Sequence, residues 1–229
     1  MSDYTFQFCG TKAIATAGRA LWLPDMHVLC VSDLHLGRSG RIARRAGTML
    51  PPFETDDTLT RLGDEIARWN PQTVICLGDS FDDLDAAQDI STQASATIAH
   101  LQAGRRWIWV EGNHDPGPIA LGGSHHNNIA LGGLRFCHIA SDQRAEISGH
   151  YHPKHGLRGT GPARPCFLYD AERLIMPAFG TYTGGLLSHA APLLQVFPTG
   201  AIAIMTGRSA IPVPVTEIRP TPRSRGRFY

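Results

Sequence analysis

Five short clusters carry side chains able to bind metal: Asp33-x-His35, Gly78-Asp79, Gly112-Asn113-His114-Asp115, the lone His138, and Gly149-His150-x-His152. Asp33 and His35 stand two apart, so at the end of a strand both side chains point the same way, and His150 and His152 repeat the device with two imidazoles. Carboxylate oxygen, imidazole nitrogen and amide oxygen form a mixed hard and borderline donor set. It suits Mn, Fe, Zn or Co, and suits Ca or a thiolate-seeking ion poorly. A single Asp-x-His or Gly-Asp is commonplace as a turn or a cap. Five clusters in one order, each at a strand end, point instead to a metal site.

The elements that must position them follow from the apolar pattern. Residues 26–32, 73–77 and 107–110 are short apolar runs rich in β-branched and aromatic residues, as expected of strands covered on both faces. Between them, one helix is expected after Thr55 as N-cap, with Leu59, Leu62 and Ile66 on its buried stripe and Asn70-Pro71 as its stop. A second helix is expected from about Leu84 to Ala103, with Ile90, Ala94, Ile98 and Leu101 facing inward. Strand, helix, strand, helix, strand implies parallel strands joined by crossovers, whose carboxyl ends are where sites assemble. Beyond Asp115 the pattern changes to short strands separated by Gly/Pro turns, at 134–139, 146–148, 166–169, 174–176, 193–197 and 201–205. This second half is expected to share one core with the first, giving a single domain over 1–215 and a basic, proline-rich, flexible tail over 216–229.

Composition narrows the function classes. The 229 residues are 42% apolar and 18% charged, and 21 Lys plus Arg nearly cancel 20 Asp plus Glu, so no global field recruits a polyanion. A nucleic-acid role must then come from a local patch or a chemical site. Five cysteines without a Cys-x-x-Cys pair argue against a disulfide framework and a structural zinc site, and Cys30, Cys76 and Cys137 in apolar runs read as buried thiols. The stretch 174–207 lacks Asp, Glu, Lys and Arg, yet its prolines and glycines break any spanning helix, and no export signal is visible. A cytoplasmic protein is expected.

The ordered clusters resemble the calcineurin-like metallophosphoesterases, whose signature is D-x-H, G-D-x-x-D/N/H, G-N-H-D/E, a later H, and G-H-x-H. The resemblance spans roughly residues 28–153. It implies a four-layer αββα sandwich of two mixed β-sheets flanked by helices. It also implies two divalent metal ions, taken as Mn2+ with Fe, Zn or Co as alternatives. One would be held by Asp33, His35, Asp79 and His152, the other by Asp79, Asn113, His138 and His150, with Asp79 bridging. His125 and His126 also lie between the third and fifth clusters, so the fourth ligand is the least determined. Residues 32–37, 41–45, 50–54, 78–83, 147–153, 164–167 and 177–185 are similar, more narrowly, to the bacterial ligase-associated DNA damage response endonucleases. That likeness implies DNA as substrate, a role in repair, and functional association with an ATP-dependent DNA ligase, a helicase and an exonuclease.

Two metals about 3.5–4 Å apart would activate a bridging hydroxide as nucleophile and neutralise the phosphoryl oxygens. His114, whose side chain diverges from that of Asn113, is assigned to protonating the leaving oxygen, with Asp115 as its partner. The alternative for His114 is a hydrogen bond that orients a ligand. Asp82 and Asp83 are read as caps of the next helix. Arg38, Arg41 and Arg45 lie directly after the first cluster and could contact substrate phosphates, against the alternative of a solvated helix face. Tyr182, in a glycine-rich turn, could line a pocket, with core or loop packing the preferred reading, and His125 and His126 are read as surface histidines in a Gly/Asn-rich loop. A small phosphoester is the alternative substrate. A non-catalytic scaffold is disfavoured, because such a protein could dispense with the ligands this chain keeps.

Overall fold

An N-terminal meander opens the chain: β1 (Tyr4–Phe8), β2 (Thr11–Ala15) and β3 (Leu21–Leu23) run antiparallel, and a 3-10 turn at Pro24–Met26 leads into β4 (Val28–Val31). The computed structural model describes residues 2–40, 51, 53–157, 159 and 161–215. Arg41, Arg45 and the tail 216–229 lie outside these described residues. The first three strands are absent from the sequence expectation, although Phe6 and Phe8 alternate with polar neighbours and both are buried.

From β4 the chain crosses through α1 (Glu54–Trp69) to β5 (Thr73–Leu77), then through α2 (Leu84–Gln88) and α3 (Thr92–Gln102) to β6 (Arg106–Val110) and on to β7 (Ser124–His126). The four strands β4 to β7 are parallel neighbours and complete a seven-stranded sheet in simple order β1 to β7. The helix α1 forms on its Leu59, Leu62 and Ile66 stripe, all buried, and ends where Asn70 turns left-handed and its amide reaches the Ile66 carbonyl. It begins one residue before the expected cap. Thr55 Oγ1 instead accepts the Gly37 amide at 3.0 Å and ties the helix to the first metal-binding cluster. The single helix expected over 84–103 is two, because Asp83 and Ser91 each accept an amide, from Ala86 and Ala94, and start separate helices.

The second sheet runs β15-β14-β12-β13-β10-β9-β8, built from β8 (Asn128–Leu131), β9 (Leu134–Cys137), β10 (Glu146–Ser148), β12 (Arg164–Tyr169), β13 (Arg173–Ile175), β14 (Ala201–Met205) and β15 (Ile211–Val215). The two-residue β11 (Lys154–His155) pairs beside β12. Within this sheet β9, β10 and β13 are parallel and the other pairs antiparallel. The strand expected over 193–197 is a helix, α4 (Ala191–Val196). Pro192 in its first turn suits a helix start, and Leu193 and Phe197, four apart, are buried together on one face.

Alternation along the strands sorts side chains into three apolar layers. Cys30, Ile75, Leu77, Ile108 and Val110 face Phe136, Ile147, Phe167 and Leu174 between the sheets. Leu29, Val31, Val74, Cys76 and Trp107 turn the other way onto Leu59, Leu62, Ile66 and Ile98 of the helices. Cys166, Leu168, Ile175 and Ala203 pack on Leu193 and Phe197. The result is helix, sheet, sheet, helix, the four-layer α/β architecture expected. Each fully buried Leu, Ile or Phe contributes roughly 1.5–3 kcal/mol. All five cysteines are free thiols, Cys9 exposed and the others buried. Among the described residues, no helix is long and apolar enough to cross a membrane.

Candidate metal centre

The clusters sit where parallel strands end. β4, β5 and β6 in one sheet, and β9 and β10 in the other, deliver residues 33–35, 79, 112–115, 138 and 149–152 to a common site between the two sheets. Backbone pairing continues past the strand ends, with the His35 amide on the Asp79 carbonyl at 2.9 Å and the Gly149 amide on the His138 carbonyl at 2.9 Å. Asp33, His35, Asp79, His150 and His152 all adopt positive φ, between 46° and 70°. Left-handed backbone is costly for such residues, and its concentration here is typical of functional sites. Glycine is required at two of the turns. A Cβ on Gly78, itself at φ +72°, would lie 2.1 Å from His138 Nδ1, and one on Gly112 would lie 2.1 Å from the Asp79 amide nitrogen.

Among the described residues three donor groups result, the third formed by His35, Asp82 and His114. In the first, His152 Nε2 stands 3.1 Å from Asp33 Oδ1 and 3.3 Å from His35 Nε2. In the second, His138 Nε2 stands 3.3 Å from Asp79 Oδ2, 3.3 Å from His150 Nδ1 and 3.0 Å from Asn113 Oδ1. Within each trio, Asp33, His35 and His152 or Asp79, His138 and His150, the donor atoms lie within 4.8 Å of one another. Asp79 Oδ2 is also 4.0 Å from His35 Nε2, so the same carboxylate oxygen faces the first two groups. His138 is the histidine of the fourth cluster that enters the site. His125 and His126 belong to the edge strand β7 rather than to a surface loop, with His125 stacked on Trp109.

Electrostatics fit a pair of cations. Burial acts to raise the Asp33 carboxyl, but His152, His138 and the Ser32 hydroxyl outweigh it and hold it below the ordinary value. Burial opposes ionisation of Asp79 too, yet His138, the His114 amide and His35 bring it down to about 2. The His138 imidazole is raised, because Asp79 and Asp33 outweigh its burial, while burial and the neighbouring His138 lower His150. Two ionised carboxylates are thus sunk among histidines. Two pairs of imidazole nitrogens, His35 with His152 and His138 with His150, face each other at 3.3 Å. An N–H on one ring can bridge each of these gaps, and a cation can take that proton's place between the same nitrogens; with the two carboxylates beside them, the donor set fits two divalent ions.

The residues around this core depart from several sequence expectations. Asp83 caps α2 as read, but Asp82 does not act as a cap. Its buried carboxylate lies 2.9 Å from His35 Nδ1, at an angle too oblique for a hydrogen bond, and 2.9 Å from Arg38 Nη1. An acidic pair before a helix reads as a cap, and nothing in the spacing separates the two residues. Arg38, one of the arginines weighed as a substrate contact, donates from Nη1 to Asp82 Oδ1 at 2.9 Å. His114 stands beside the His35 ring, centroids 5.2 Å apart, with its Nδ1 2.8 Å from the Asp82 carbonyl. A carbonyl only accepts, so Nδ1 carries a proton and Nε2 is the atom that exchanges one. Asp115 receives the amides of Ser80 and Phe81 on one oxygen and of Gly112 on the other, at 2.8, 3.2 and 3.0 Å. It stitches the second cluster to the third. Burial, helped by Asp79 and opposed by these amides, raises its carboxyl to about 6.

A family model for the calcineurin-like phosphoesterases matches residues 26–170. Among solved structures, the chain is similar to the crystal structure of the Pseudomonas putida nuclease MPE, at 25% identity and a TM-score of 0.71, over 93% of this chain and 100% of that one. A phosphoesterase from E. coli, Yfce, aligns at 13% identity and a TM-score of 0.38, over 77% of this chain and 87% of that one. No curated protein matches the sequence.

Proposed function

Since the chain belongs to the calcineurin-like phosphoesterase family and is a metal-dependent phosphoesterase, we propose that it is a phosphodiesterase cutting DNA internally, in repair. The observation that carries this reading is the likeness to the nuclease MPE, which extends over the whole of that chain rather than over the metal clusters alone. Asp33, His35, Asp79 and His152 would hold one divalent ion, and Asp79, Asn113, His138 and His150 the other. Manganese is our choice for a site of mixed oxygen and nitrogen donors. When bound, such a pair supplies Lewis-acid neutralisation of the phosphoryl oxygens and a nucleophile at neutral pH.

The chain's own residues supply the rest. Asp79 faces the first two donor groups and fixes their spacing. The Asp82 carbonyl fixes the His114 ring and directs Nε2 toward the leaving oxygen, where an imidazolium gives up its proton as the phosphorus–oxygen bond breaks. Asp115 acts as a positioning residue, since both its oxygens hold backbone amides of the metal-bearing turns.

The test is hydrolysis of end-labelled single-stranded DNA with added Mn2+, with Asp79→Asn as the blank. Internal cuts that vanish in the variant are expected. Protein that binds Mn2+ yet leaves DNA whole would overturn the nuclease reading and turn attention to small phosphoesters.

A further inference from the structure

Beside the metal centre lies a cavity of about 530 Å3 whose lining includes Arg19, Asp57, Arg61, Asp64, Lys154 and Tyr182. Its size is that of a small-ligand site. Its charge is not that of a phosphate site. The three cations, Arg19, Arg61 and Lys154, meet three acids, Asp57, Asp64 and Glu65, and Arg61 is already engaged by Asp57, the Phe179 carbonyl and the Thr181 hydroxyl. A balanced wall of donors and acceptors suits a neutral planar group that offers both.

Tyr182 lines this cavity rather than packing within its loop, and it is 37% exposed at φ +62°. Its ring stands 6.2 Å from that of Phe53, which is 56% exposed, the planes tilted by 52°. Two large apolar rings held together in solvent are a feature that folding does not explain. The loop that carries Tyr182 is also pinned to the centre at both ends. The Gly180 amide donates to the Asp33 carbonyl at 3.0 Å, and a Cβ on Gly185 would lie 2.0 Å from the His152 carbonyl oxygen. Tyr182 is two residues from Gly180, roughly 7 Å of chain at most. A base attached near a phosphate at the centre falls within reach of the rings.

Resting on the nucleic-acid reading above, we propose that Phe53 and Tyr182 form a stacking site for a base next to the scissile phosphate, with the cavity wall receiving its polar edge. The rings recognise an unstacked base by its face, so the site favours strands whose bases are unpaired and tolerates sequence.

The test compares oligo-dT with an abasic oligomer of equal length and the same phosphodiester backbone. Binding is read by fluorescence anisotropy with Mn2+ in a His114→Ala background, so that strands stay whole. The parent is expected to prefer oligo-dT. Phe53→Ala and Tyr182→Ala should each reduce that preference by roughly 5- to 100-fold, whereas Tyr182→Phe, which keeps the ring, should retain it. Equal binding of the two polymers by the parent, or a preference that survives both alanine variants, overturns the stacking site while strand cleavage leaves the nuclease reading standing. If the parent binds neither polymer and the wild-type protein cleaves neither, both readings fall.

Discussion

Asp82→Asn tests the carboxylate that stands behind the His35 ring. The carboxylate is fully buried, 2.9 Å from His35 Nδ1 on one side and 2.9 Å from Arg38 Nη1 on the other. Replacing it by the isosteric amide keeps the volume and removes the charge that favours electron donation through the His35 ring toward Nε2. Outer partners of metal-binding histidines are typically worth about 10–100-fold in metal affinity. The oblique approach to Nδ1 argues for the low end, about tenfold, or ~1.4 kcal/mol. Calorimetric titration of the metal-stripped protein with Mn2+ reads this directly. Thermal unfolding of the same sample checks that Arg38, already part exposed, has turned to solvent without loss of the fold. Asp83→Asn keeps an N-cap acceptor for α2 and serves as the control, with affinity within about twofold of the parent. Equal Mn2+ affinity in Asp82→Asn and the parent would refute the reasoning.

Other outcomes follow from the same geometry. His114→Ala should still bind Mn2+ while its turnover falls by roughly 10²–10⁴-fold, and loss of metal from that variant would sink the proton-donor role. Asp115→Asn leaves an amide nitrogen facing backbone N–H donors, costing about 1–3 kcal/mol and lowering the melting temperature by roughly 2–12 °C. A fall in turnover with no change in melting would instead favour Asp115 as a proton partner of His114. The Glu65 carboxyl is raised above its ordinary value chiefly by burial, against its hydrogen bonds from Trp69 and Thr16. A raised acid contributes stability that is present below its unfolded pKa and lost as pH rises through the folded one. Chemical denaturation from about pH 4 upward should therefore show wild type losing ground to Glu65→Gln, and a constant gap would contradict the shift.

The site was more legible in the sequence than the fold around it. Metal donors are chemically distinctive and their spacing is short, so Asp33-x-His35 and His150-x-His152 could be placed at strand ends before any topology was known. The choice of His138 over His125 and His126 needed the structure, because it depends on β9 ending beside β5 while β7 lies at the sheet edge. The three N-terminal strands were missed because β3 is only three residues long and the Phe6/Phe8 alternation is brief. The strand expected at 193–197 became α4 because a five-residue apolar run fits either period, and Pro192 decided it. Asp82 was misread because its role depends on His35, 47 positions earlier, and no local pattern records a partner that far away.

The left-handed backbone at Asp33, His35, Asp79, His150 and His152 also bears on how the chain folds. Those turns are held by long-range contacts, such as the His150 amide on the Asp33 carboxylate across 117 positions. Contacts at such separation close late, after the local helices and the parallel strands have formed. A nascent chain cannot assemble the centre until residue 152 has emerged and the two sheets have met. Substitutions that ease these turns should therefore slow unfolding and leave the folding rate nearly unchanged, which places kinetic persistence and catalytic geometry in the same few residues.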